Sequence, residues 1–61
     1  MEKWAAEIIA KLRINRITQR KLADQIGITE EYLSSVLNGK RKTPSDMEAR
    51  INTALGELLN D

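Results

Sequence analysis

The stretch Thr18 to Gly39, T-Q-R-K-L-A-D-Q-I-G-I-T-E-E-Y-L-S-S-V-L-N-G, constrains the fold of this chain more than any other. Leu22, Ala23 and Ile26 stand at i, i+1, i+4 and share one face of a helix, while Leu33, Val36 and Leu37 stand at i, i+3, i+4 and share one face of another. Only a few residues separate the two segments, so the helices must meet at a tight corner. Gly27 follows the last periodic residue of the first segment, where a chain commonly turns through a left-handed conformation that a residue without Cβ adopts freely. Ile28 then supplies an apolar plug, and the Thr29 hydroxyl offers an N-cap to the second helix. Ala23 is small where a crossing helix has to come close.

Two short helices joined in this way form a helix-turn-helix, a motif whose second helix can lie in the major groove of DNA. The spacing predicts a preceding helix over about 2 to 13, with Trp4, Ala5, Ile8, Ile9 and Leu12 on one broad apolar stripe and Glu2, Lys3, Glu7 and Lys11 off it. Its place on that stripe makes Trp4 a core or core-edge residue in preference to a stacking platform. Residues Ile14 to Ile17 form a connection, and Thr18 caps a helix over about 19 to 26. The next helix covers about 30 to 37 and closes on Asn38-Gly39. After the basic run Lys40-Arg41-Lys42, Pro44 suits a first helical turn and Ser45-x-x-Glu48 has the form of a capping box. A last helix is therefore expected over about 45 to 59, lined by Met47, Ile51, Ala54, Leu55, Leu58 and Leu59. The expected architecture is an all-α single domain of four helices covering residues 1–61, with the helix-turn-helix at its centre.

At 61 residues the chain buries only about 60% of the surface its unfolded form exposes, too little for a deep enzyme pocket beside a stable core. It has no cysteine and no histidine, which removes disulfides, the usual zinc sites and the usual nucleophile–base pairs. Its Asp and Glu residues form no pair with an obvious metal partner, so neither a metal nor a cofactor is expected and enzyme activity is not. No apolar run approaches a membrane span of roughly 18 residues, and the N-terminus lacks the layout of a signal peptide. A soluble cytoplasmic protein is the expectation.

The net charge of +1 hides an uneven distribution. Lys11, Arg13, Arg16, Arg20 and Lys21 place +5 on residues 11 to 21, and Lys40, Arg41 and Lys42 place +3 beyond the motif. Both clusters flank the helix-turn-helix, as a footprint for phosphate would require, although solvated charge runs on a small helical domain look the same in sequence. Arg20 and Lys21 also occupy a helical first turn, where the dipole disfavours cations by a few tenths of a kcal/mol each. A phosphate at that N-terminus would reverse the penalty; alternatively the surface turn tolerates it.

On the 30 to 37 helix, Glu31, Ser35 and Asn38 oppose the apolar face, with Ser34 nearby and Glu30 and Tyr32 on the flanks. These are the side chains able to reach bases, the small Ser34 and Ser35 also permitting close approach. Glu30 and Glu31 favour the helix dipole and oppose approach to a polyanion. A carboxylate here either accepts from a cytosine N4 amino group or serves the helix alone. In the last helix the distal leucines Leu55, Leu58 and Leu59 either complete the core against Trp4 and Ile8 or form a dimer contact. Gly56 among them implies a bend or a close helix approach.

The run Gln19-x-x-x-Ala23-x-x-x-Gly27, followed by Leu33 and by Leu37-Asn38-Gly39-Lys40, resembles the Cro/cI-type helix-turn-helix family, also called lambda-repressor-like or XRE, over roughly residues 8 to 55. The resemblance implies an all-α DNA-binding domain of four helices or five. It also implies a sequence-specific transcriptional regulator, frequently of phage or mobile-element origin, that binds a palindromic double-stranded operator as a homodimer. Carried over by position, Gln19 matches a phosphate-binding glutamine. Glu30, Glu31 and Ser35 match positions that face bases, Asn38, Lys40 and Arg41 a backbone-contacting loop, and Tyr32 a position against the sugar-phosphate chain. Arg20, Lys21 and Lys42 join the expected phosphate contacts by charge, and Ser34 joins the base-facing set by its place on the helix. The competing expectation is a protein-interaction module, antirepressor or antitoxin-like, that keeps the fold. The N-terminal module of a longer regulator is a further alternative.

Overall fold

The computed structural model describes residues 1–60 and contains four helices in chain order: α1 (Lys3–Ile14), α2 (Gln19–Ile26), α3 (Glu30–Leu37) and α4 (Met47–Leu59). α2 packs against both α3 and α4, and α1 packs against α3. The core takes Ala5, Ile8 and Leu12 from α1, Leu22 and Ala23 from α2, Leu33, Val36 and Leu37 from α3, and Met47, Ile51, Ala54 and Leu55 from α4. Leu22, Leu33 and Leu37 are fully buried, and each such side chain contributes about 2 to 3 kcal/mol relative to an exposed one. Among the described residues no polar or charged side chain is buried, so the interior is held by packing alone. Trp4 lies at the edge of this core, half-buried, with its indole N–H donating to Glu2 Oε2 at 3.1 Å.

The caps set where the two short helices begin and end. Thr18 and Thr29 are extended, at φ −80°, ψ 155° and φ −77°, ψ 154°. In that conformation Thr18 Oγ1 accepts from the Lys21 backbone N–H at 3.0 Å and Thr29 Oγ1 from that of Tyr32 at 3.1 Å, each satisfying one orphan donor of its first turn. Gly27 is left-handed at φ 92°, and the N–H groups of Gly27 and Ile28 both donate to the Ala23 carbonyl, at 2.8 and 3.0 Å. α3 ends in a Schellman turn: Gly39 takes φ 73°, its N–H donates to Val36 O at 3.2 Å, and the Lys40 N–H donates to Ser35 O at 2.9 Å.

Several expectations need correction. α4 starts at Met47, two residues after the expected start, and Ser45 and Glu48 form no capping box. The residue before α4 is Asp46, at φ −97°, ψ −5°, with no side-chain cap bond. An N-cap side chain reaches back to its helix from an extended backbone, which Thr18 and Thr29 have and Asp46 lacks. Instead the Met47 N–H donates to Pro44 O at 3.0 Å, so Pro44 opens a turn ahead of the helix. α1 continues through Ile14, a residue expected in the connection, and leaves that side chain 78% exposed.

The connection after α1 contains a left-handed turn without a glycine. Arg16 is left-handed at φ 57°, with its N–H on Arg13 O at 3.2 Å and the Ile17 N–H on Leu12 O at 2.8 Å. A non-glycine residue in this region is strained by roughly 1 to 2 kcal/mol.

The distal leucines of α4 divide. Leu55 is buried and belongs to the core, so it is not a dimer contact; Leu58 is half-buried against the same core, and only Leu59 is exposed. Of the two readings open for Leu55 from one helix alone, core or dimer contact, its burial in the packed domain selects the core. A Cβ built on Gly56 would meet nothing within 4 Å, so among the described residues no other helix closes on that side of it.

Candidate nucleic-acid interface

The first turn of α2 carries Gln19, half-buried, and the exposed cations Arg20 and Lys21. The turn that follows α3 carries Lys40, Arg41 and Lys42, all exposed. Between them stands α3, with Glu30 and Glu31 exposed in its first turn and Ser34 and Ser35 half-buried along its length. The two basic clusters thus border the helix whose apolar face, Leu33, Val36 and Leu37, is sealed into the core. Its remaining face is free to meet something else.

Tertiary packing brings distant members of this set together. Gln19 and Asn38 line one groove with Arg13, beside the apolar wall of Ile9 and Ile14. In the sequence Arg13 is only part of a charge cluster; its neighbourhood with Gln19 and Asn38 depends on how α1 lies beside the other helices, which a linear pattern does not carry. Asn38 is engaged within the fold: its Nδ2 donates to Ser34 O at 2.8 Å and to Ser34 Oγ at 3.2 Å. It therefore closes the end of α3 with its side chain, and an outside acceptor would compete with those bonds for the same amide.

Arg41 and Lys42 line a second groove with Trp4, Glu2 and Glu48, where the basic loop passes the starts of α1 and α4. The Arg41 guanidinium carbon also lies 5.2 Å from the centroid of the Tyr32 ring. Tyr32 is half-buried against the core, so its ring is a fixed surface in the first turn of α3.

The rear of the motif is fastened to α4. Arg50 Nη2 donates to Ile26 O at 3.3 Å, occupying a carbonyl at the end of α2, and Gln25 Nε2 donates to Glu57 Oε1 at 3.0 Å. Both bonds are exposed and individually modest. They lie on the opposite end of α2 from Gln19, leaving its N-terminus clear.

A family model described as helix-turn-helix, of the XRE, Cro/cI-like type, matches residues 9–57. The chain belongs to that family. The match takes in α2, α3 and the basic loop whole and most of α1 and α4, so the all-helical fold is lambda-repressor-like and the protein is a DNA-binding transcription regulator of the XRE type. The family is a regulatory one and not enzymatic. Comparison with curated proteins and with solved structures returned no significant match. Among the described residues no helix is long and apolar enough to cross a membrane, and no cluster of three acidic or metal-ligating side chains occurs.

Proposed function

We propose that this protein is a small repressor or Cro-like regulator, of the kind found in phages and mobile elements, that holds a palindromic operator as a homodimer. α3 enters the major groove, Glu30, Glu31, Ser34 and Ser35 face the bases, and Gln19, Arg20, Lys21, Asn38, Lys40, Arg41 and Lys42 hold the backbone on either side, with the Tyr32 ring beside Arg41. The observation that carries this reading is that exposed basic clusters, in the first turn of α2 and in the loop after α3, precede and follow in the chain a helix whose inner face is sealed and whose outer face is not. Phosphate contacts fix register, and the side chains between them read sequence. Leu59, with Leu58 beside it, offers apolar surface for the second copy.

A fluorescence anisotropy titration against duplex DNA tests the mechanism. With about four to six phosphates neutralised per bound unit, log K against log[salt] should fall with a slope near −4 to −5. A flat salt dependence would sink it. Selection from a random duplex pool should return a palindrome with half-sites about 34 Å apart, as a two-fold pair of α3 helices requires. A single non-repeated half-site would remove the dimer. If no duplex binds at low salt and a stoichiometric protein complex forms instead, the interaction-module reading takes over; the acidic start of α3 and the exposed Ile14 and Leu59 are what favour it.

A further inference from the structure

We propose that Tyr32 is a positioning residue whose ring holds the Arg41 guanidinium beside the first turn of α3, so that the cation is already in place when phosphate arrives. The inference rests on the operator-binding reading above and deepens it. Three observations support it. The guanidinium carbon lies 5.2 Å from the ring centroid, inside the range in which a cation is attracted to an aromatic face. The ring itself is anchored, half-buried against the core and on a turn fixed by the Thr29 cap at 3.1 Å. The Schellman turn at Asn38-Gly39-Lys40 reverses the chain, and this sends Arg41 back along α3 toward a residue nine positions earlier in sequence.

The geometry divides the guanidinium's chemistry. The ring attracts the cation from one side, while the N–H groups turned away from it stay available for phosphate oxygens. A free arginine loses rotamer freedom when it binds; one already stacked loses less, so the same contact is stronger. The stack also brings a positive charge to the turn that carries Glu30 and Glu31, which would otherwise present two negative charges to DNA. Tyr32 thus acts through its ring, with Arg41 as the group that meets phosphate.

Two measurements test this, each on the whole chain. In proton NMR of the free protein, the Arg41 side-chain methylene signals should be shifted upfield by the ring current, and the shift should vanish in Tyr32→Leu and return in Tyr32→Phe. Unshifted Arg41 signals in the native protein would overturn the pairing whatever the protein binds. In anisotropy titrations with the selected duplex, Tyr32→Leu should weaken binding about two- to fivefold, the equivalent of one exposed cation–π contact, while leaving the salt slope near its native value. Tyr32→Phe should recover that loss, and in an Arg41→Gln background Tyr32→Leu should have no further effect. Thermal melting sets a temperature at which every variant is folded, and the exposed Arg41 allows its substitution without disturbing the core. Additive losses from the two positions, or a Tyr32→Phe loss as large as that of Tyr32→Leu, would overturn the proposal while leaving operator binding intact. Failure of the native protein to bind any duplex would overturn both.

Discussion

The two corners of this molecule have the same construction and differ in one residue. Arg16-Ile17-Thr18 joins α1 to α2, and Gly27-Ile28-Thr29 joins α2 to α3. In each, the first residue is left-handed, at φ 57° and 92°, and the isoleucine N–H donates to a carbonyl five residues back, at 2.8 and 3.0 Å. In each, the isoleucine is half-buried against the core and the threonine caps the next helix from an almost identical backbone conformation. The corner is therefore made by the plug and the cap. Glycine relieves it of strain but does not create it.

Substitutions at matched positions can break that equivalence. Gly27→Val should have the largest effect, a loss of about 2 kcal/mol in urea unfolding, because a β-branched residue fits a left-handed position worst. The open space around Gly27 means that the loss would come from the backbone and not from a clash. A loss below about 0.5 kcal/mol would show that the corner can be made with another geometry. Thr18→Ala and Thr29→Ala should each cost about 1 kcal/mol, or a melting-temperature drop of about 4 to 8 °C for a domain of this size, and the two drops should match. Unequal values would mean that the caps are coupled to different surroundings. Arg16→Gly should have the smallest effect and the opposite sign. Relief of left-handed strain outweighs the added freedom of the unfolded chain, for a net gain of about 0.5 kcal/mol. If stability instead falls, the Arg16 side chain makes contacts worth more than its strain.

The comparison also shows what a sequence can disclose. The bounds of α2 and α3 were legible because a threonine, an apolar face and a following glycine all agree on them. The left-handed Arg16 was not, since glycine is the usual mark of such a turn and here it comes instead with backbone hydrogen bonds back to the preceding helix. The start of α4 was misplaced for a related reason: Ser45 and Glu48 have capping-box chemistry, but the turn opened by Pro44 leaves Asp46 in a conformation from which no side chain can cap. Leu55 could not be assigned to the core over a dimer contact without knowing how the helices pack. At the candidate interface the membership of the basic clusters follows from the sequence, whereas the groove shared by Arg13, Gln19 and Asn38 and the stack of Arg41 on Tyr32 exist only once the helices are packed. Glu30 and Glu31 remain in the structure what they are in the sequence, an exposed acidic first turn whose role the duplex selection decides.

Gly56 has a consequence for how the molecule loosens. It sits near the end of α4 with open space where a side chain would be, and its carbonyl accepts the Asn60 N–H at 3.1 Å. A helical glycine lowers local helix stability by about 1 kcal/mol relative to alanine, so the turn beyond it can fray while the rest of α4 stays docked. Amide hydrogens at Leu59 and Asn60 should therefore exchange with solvent through that local opening, on a far shorter timescale than those of the fully buried Leu22, Leu33 and Ile51, which wait for the whole domain to come apart.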